Sequence, residues 1–172
     1  YSYVSSSKRL AIKLDWTIDA NNTFTFKYNM LRSADQKPAS NSSSINSSYG
    51  RASGVYGMPF FGAGYQINNN ADVFIAELNT KLSNRMSNKL QVGYSALRDF
   101  RSALSSNPDF PMVDILDGNS QPFTSFGHEL FTYGNKLNTD VYQLNDNLTI
   151  YAGKHEITLG TQTSFKKYLN GF

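Results

Sequence analysis

Between Val141 and Lys166 apolar and polar side chains alternate for ten residues, pause at a glycine, and alternate again. In Val141–Ile150 the residues Tyr142, Leu144, Leu148 and Ile150 fall on one face, with Gln143, Asn145, Asn147 and Thr149 on the other. Ala152-Gly153-Lys154 has the chemistry of a tight turn, because Gly153 is free to take positive φ. From His155 to Lys166 the alternation resumes, with Ile157, Leu159, Thr161, Thr163 and Phe165 opposed to Glu156, Thr158, Gly160, Gln162, Ser164 and Lys166. A period of two is strand geometry with one apolar and one polar face. The length is the constraint. Globular strands usually run about five or six residues, whereas a strand that crosses a membrane needs about nine to eleven. Asp146 alone breaks the apolar face; a bulge there would remove it, or the strand is not wholly in lipid.

The same pattern recurs. Leu10, Ile12, Leu14, Trp16 and Ile18 share a face within Arg9–Ile18, and Phe24, Phe26, Tyr28 and Met30 share one within Thr23–Arg32. Asp19-Ala20-Asn21-Asn22 between them is a turn, since Asp and Asn bond to their own backbone. Trp16 and Phe24 sit beside that turn, where an aromatic girdle belongs. Asp72–Leu82 and Asn88–Arg98 form the next pair, joined at Ser83–Ser87. The short turns near Ala20, Arg85 and Gly153 are about 65 to 68 residues apart, and the stretches between them, Ser33–Asn70 and Asp99–Leu137, are long. One plan is thus repeated three times: long strand, short turn, long strand, long loop. Loops of this length argue against a compact soluble domain, but outward loops of outer-membrane barrels are long. The expected fold is all-β, an antiparallel up-and-down meander of six strands forming part of a transmembrane β-barrel. The strands should pair in sequence order, with short turns at one end and long loops at the other. Within the second loop Asp117-Gly118 predicts a small hairpin between Val113–Leu116 and Gln121–Phe123.

Composition agrees. Charged residues are 17% of the 172, and aromatics are 14%. Mean hydropathy is −0.44, and nothing approaches about 18 consecutive apolar residues, so no helical span is present. A barrel survives this test because only alternate residues face lipid. The net charge of +3 comes from scattered Lys and Arg without a basic-aromatic recognition motif, so no nucleic-acid partner is expected. The chain has no Cys, which removes disulfides and thiolate metal sites. The residues before Lys8 lack the apolar core of a signal peptide, so either a signal was removed or the chain is an internal piece of a longer protein.

Catalytic and metal chemistry find little support. His128 and His155 are the only histidines and have no ligand spacing to each other. Asp109, Asp114, Asp117 and Asn119 lack the order of a calcium loop, so turn and solvent roles fit them better. No Gly-x-Ser-x-Gly elbow is present, and Gly62-Ala63-Gly64 is too short to cradle phosphate. No enzyme activity, cofactor or metal is expected. Asp15, Glu77 and Glu156 should pair across strands with Lys13, Lys27, Lys81 or Lys166 on a polar wall. The segment Tyr56–Tyr65 places aromatics among glycines. Tyr56, Phe60 and Tyr65 are therefore candidate substrate-binding residues in an outer loop, although packing of the rings within the loops is the simpler account.

Gly134–Leu137, Val141-Tyr142, Ala152–His155, Gly160-Thr161 and Phe165, together with Asn88–Tyr94, form a set that resembles the barrel of TonB-dependent outer-membrane receptors, in particular the Oar-like branch. The likeness spans most of the chain as a general pattern. It implies a parent protein with a plug domain, a TonB-contacting box and a barrel of about 22 strands, of which six strands would be a fragment. It further implies outer-membrane lipid as surroundings, the TonB complex as partner through parts not in this chain, and an unidentified nutrient as ligand. The alternative is a self-contained small outer-membrane barrel or a secreted all-β adhesin. A small barrel wants a strong terminal strand, and Asn170-Gly171 before Phe172 make a poor one.

Overall fold

A computed structural model describes residues 1–172. Six long strands form one antiparallel sheet: β1 (Ser5–Thr17), β2 (Asn22–Lys37), β3 (Tyr65–Ser83), β4 (Met86–Ala103), β7 (Lys136–Ala152) and β8 (His155–Gly171). They pair strictly in chain order. A separate two-stranded sheet, β5 (Val113–Leu116) with β6 (Pro122–Phe126), interrupts the second long connection. A single 3-10 turn, Phe61–Ala63, precedes β3. The short turns lie at one end of the sheet and both long connections at the other, as the spacing of the turns predicts.

Local chemistry accounts for the turns. The Asp19 carboxylate accepts from the backbone N–H of Asn21 (2.7 Å) and Asn22 (2.9 Å). Gly153 takes φ 65°, which a residue with a Cβ adopts only under strain. In the β5–β6 turn the positive φ falls on Ser120 rather than on the Gly118 of the expected Asp-Gly turn, while Asp117 holds the N–H groups of Asn119 and Gln121 at 2.8 Å each.

The strands outrun the alternation that reveals them. β2 continues five residues past Arg32, and β3 begins at Tyr65 inside the stretch read as loop. There Ser33, Asn68, Asn69 and Asn70 are polar on both faces, so the period of two vanishes although the ladder persists. β8 also runs through Asn170 and Gly171, paired to Leu137 and Lys136, so this end is a sound strand after all. Asp146 needs no bulge. It stays in register between Leu90 and Thr161, and Asn88 Nδ2 on the neighbouring strand donates to it at 2.8 Å.

The molecule is inside out relative to a soluble protein. Only 13 of 172 residues are buried, and the buried apolar side chains are Ala39, Ala63 and the rings of Pro59 and Pro122. The large apolar residues instead cover one open face: Trp16 is 64% exposed, Leu144 47% and Phe165 66%. Cross-strand partners share a face, so the register can be read as rows. Ile12, Tyr28, Phe74, Tyr94, Tyr142 and Phe165 form one row across all six strands. Within it the rings of Tyr28 and Phe74 lie 4.8 Å apart and those of Tyr94 and Tyr142 4.9 Å apart. An apolar patch of this extent is not left to water. The opposite face is polar. On it Lys13 meets Asp15 at 2.7 Å, Thr25 donates to Asp15 at 2.6 Å, and Lys89 meets Glu77 at 3.0 Å. Lys89 therefore takes the place expected of Lys27 or Lys81, because the register sets it diagonal to Glu77. Glu156 has no ion-pair partner.

Candidate ligand-binding site

The two long connections fold together over the end of the sheet. Gly57–Phe60 lies beside β6, with Met58 N–H donating to Phe123 O (3.0 Å) and Phe60 N–H to Ser125 O (2.8 Å). Thr124 Oγ1 returns a bond to Met58 O at 3.0 Å. Gly57 permits the approach, since a Cβ there would stand 2.0 Å from Pro122 O.

An ion pair locks this layer. Arg51 Nε donates to both Asp114 oxygens at 2.9 Å, and the same guanidinium reaches Ser42 O and Oγ. Ser44 (2.6 Å) and Ser125 (2.7 Å) donate to the same carboxylate. The side chains of Arg51 and Asp114 are 2% and 11% exposed, so this pair is cut off from water. Burial pushes the Asp114 carboxyl up, but the bonds from Arg51, Ser44 and Ser125 outweigh it and hold the group below the ordinary aspartate range. The sequence marked Asp114 for a turn or solvent role. The structure makes it the hub between both loops, and no local signal linked it to Arg51, far away in the chain.

The locked layer borders an open apolar cleft of about 610 Å³, lined by Phe60, Leu104, Ile115 and Phe126 with Ser105 and Thr124 as polar groups. Phe60 and Phe126 meet edge to face at 6.0 Å. A second hollow of about 530 Å³ shares Phe60 and Thr124 with it and includes Tyr56, Met58 and Phe123. Of the three candidate residues, Tyr56 (70% exposed) and Phe60 (56% exposed) therefore come together. Tyr65 lines neither space; it begins β3, and the Arg101 guanidinium lies 4.5 Å over its ring. Leu104, Ile115 and Phe126 were not singled out in the sequence, because they belong to the other loop and only the tertiary fold brings them to Phe60. Pockets of this size suit a small-molecule ligand held by apolar contact and oriented by a few hydroxyls.

A protein-family model described as an outer membrane beta barrel domain matches residues 2–170. No curated protein and no solved structure gives a significant match. The chain belongs to the outer-membrane β-barrel domain family, and its place is the bacterial outer membrane. The open apolar face is then the lipid face, the polar face lines the lumen, and the long loops face outward.

Proposed function

We propose that this chain is one segment of a larger barrel, the wall of a TonB-dependent receptor that carries a nutrient across the outer membrane. The observation that supports this reading most is the pair of open edges. β1 pairs with β2 alone and β8 with β7 alone, leaving six strands that do not close on themselves. Unpaired backbone groups cannot stay in lipid, and single-chain outer-membrane barrels start at about eight strands. Further strands of the same parent protein would complete the ladder. The resemblance of Asn88–Tyr94 and Ala152–His155 to TonB-dependent receptors points to which parent. In that setting Tyr56 and Phe60, with the cleft beside them, meet the nutrient at the outer mouth, and Tyr65 stiffens the root of the loop. The energy comes from the TonB complex, contacted by parts of the parent outside this chain. No catalytic role is proposed.

The test is uptake by the intact protein in its host. Replacing Tyr56, Phe60 and Tyr65 together by Ala should lower uptake while surface expression stays unchanged, and loss of TonB should abolish it. Normal uptake in the triple variant leaves the loop as packing. Uptake that persists without TonB removes the receptor reading and favours a small passive barrel.

A further inference from the structure

Asp146 is out of place on the lipid face. Outward of the aromatic row that face carries ion pairs, Arg32 with Asp72 and Arg98 with Asp140. Between the row and the short turns its only charged strand side chain, apart from His155 at the turn, is Asp146. Asp146 stands four residues from Tyr142 on the row and four from Ile150 near the turn. Either way is about 13 Å along the strand, in a lipid band about 25 Å tall that the strands cross at a tilt. The carboxylate is therefore close to the bilayer midplane. An ionisable group at this depth is costly unless paired, and as a rule it faces protein rather than lipid.

Its own sheet pairs it only in part. Asn88 Nδ2 donates to Asp146 Oδ1 at 2.8 Å, no cation reaches the carboxylate, and Oδ2 accepts nothing. The cross-strand neighbour of Asp146 on the other side is Thr161, which is exposed. Across β7 and β8 the only side-chain hydrogen bond joins Thr149 to Thr158 on the polar face, so the Thr161 hydroxyl has no partner. On the polar face the equivalent cross-strand neighbours Asp15 and Thr25 do bond, at 2.6 Å. Here Asp146 turns to Asn88 instead. A free acceptor and a free donor are left side by side, facing away from the sheet.

We propose that the lipid face of β7 and β8 around Asp146 is the docking surface for a second copy of the membrane-assembled protein. A two-fold axis along the membrane normal, passing between β7 and β8, sets Asp146 of one copy against Thr161 of the other, and the reverse. Isologous interfaces are self-complementary in this way. Because each copy brings both the donor and the acceptor, no further group is needed. The rows on either side fit the same axis. Leu148 pairs with Leu159, Ile150 with Ile157 and Tyr142 with Phe165, so apolar side chains meet apolar side chains above and below the polar contact. Docking withdraws the carboxylate from the acyl chains and gives Oδ2 its missing hydrogen bond. It depends on this face lying in lipid and not on what the parent protein carries.

The experiment is sedimentation equilibrium of the complete membrane-assembled protein in mild detergent, which should report a dimer. Thr161→Val keeps the side-chain shape and breaks no hydrogen bond within one copy, yet removes both Asp146 contacts of the dimer. It should raise the dimer Kd about tenfold or more, the equivalent of about 1.4 kcal/mol, with the urea resistance of the single copy unchanged. Asp146→Leu should weaken the dimer as well. In membranes, a thiol placed by Leu159→Cys in this Cys-free chain should be joined to its counterpart by a short bismaleimide, and one placed by Leu14→Cys on β1 should not. A monomer at every concentration reached would overturn the proposal. So would a dimer that either variant leaves unchanged, or a Leu159→Cys adduct with a different protein.

Discussion

Single residues in this protein matter through what they join. Arg51 and Asp114 connect two loops that the chain otherwise leaves independent, and both are nearly buried. Removing one partner of a buried pair leaves an uncompensated charge, at a cost of about 3–5 kcal/mol. Arg51→Ala should therefore release the loop layer, seen as faster amide exchange across β5, β6 and Gly57–Phe60, while the long strands stay protected. The same pair gives a pH dependence with a defined sign. The folded-state pKa of Asp114 lies below its unfolded value, so its contribution is complete above the ordinary aspartate pKa of about 3.9 and is lost as pH falls through the depressed value. Amide exchange in β6 should be flat from neutral pH down to about 5 once corrected for intrinsic rates, and then accelerate in acid. Asp114→Asn should abolish that acid step. At Gly57 the constraint is steric: Gly57→Ala drives a methyl into Pro122 O and should detach Gly54–Phe60 from β6, opening a protease site there.

At the scale of elements, alternation decides which residues tolerate change. Val92 points to lipid and Gln91 to the lumen, adjacent in sequence on β4. A charge on the lipid face near the bilayer midplane costs about 2–4 kcal/mol. Val92→Arg should lower the stability of the membrane-assembled protein in urea titration by about that amount, and Gln91→Arg should leave it nearly unchanged. Alternation also explains how much the sequence reveals. The long strands and their order are legible because lipid on one side and lumen on the other impose a period of two. Past Arg32 and before Asp72 that contrast ends, and the strand ends disappear from view with it. Face parity reveals that Tyr28, Phe74, Tyr94, Tyr142 and Phe165 are apolar-side residues. Their alignment in one row depends on register, which the turns set and alternation does not. Asp146 looks like an error from its own strand because its partner Asn88 is on another. The cleft beside Phe60 was illegible for the same reason, since Leu104, Ile115 and Phe126 reach it from the second loop.

For the whole molecule, the central claim is that one face of this sheet lies in lipid. The open edges give a first consequence. Expressed alone in water, the chain should associate through β1 and β8 and through its apolar face, so light scattering should report aggregates unless detergent is present. A sharp monomer without detergent would favour a soluble adhesin. The most direct measurement uses the protein's single tryptophan, Trp16, which stands on the apolar face and is 64% exposed. In the membrane-assembled protein, its emission should be blue-shifted and quenched by lipids brominated on their acyl chains, and aqueous iodide should have little effect. Moving the probe to the polar face with Trp16→Phe/Asn29→Trp should remove the lipid quenching. Trp16 emission that iodide quenches and brominated lipid leaves unchanged would contradict the account.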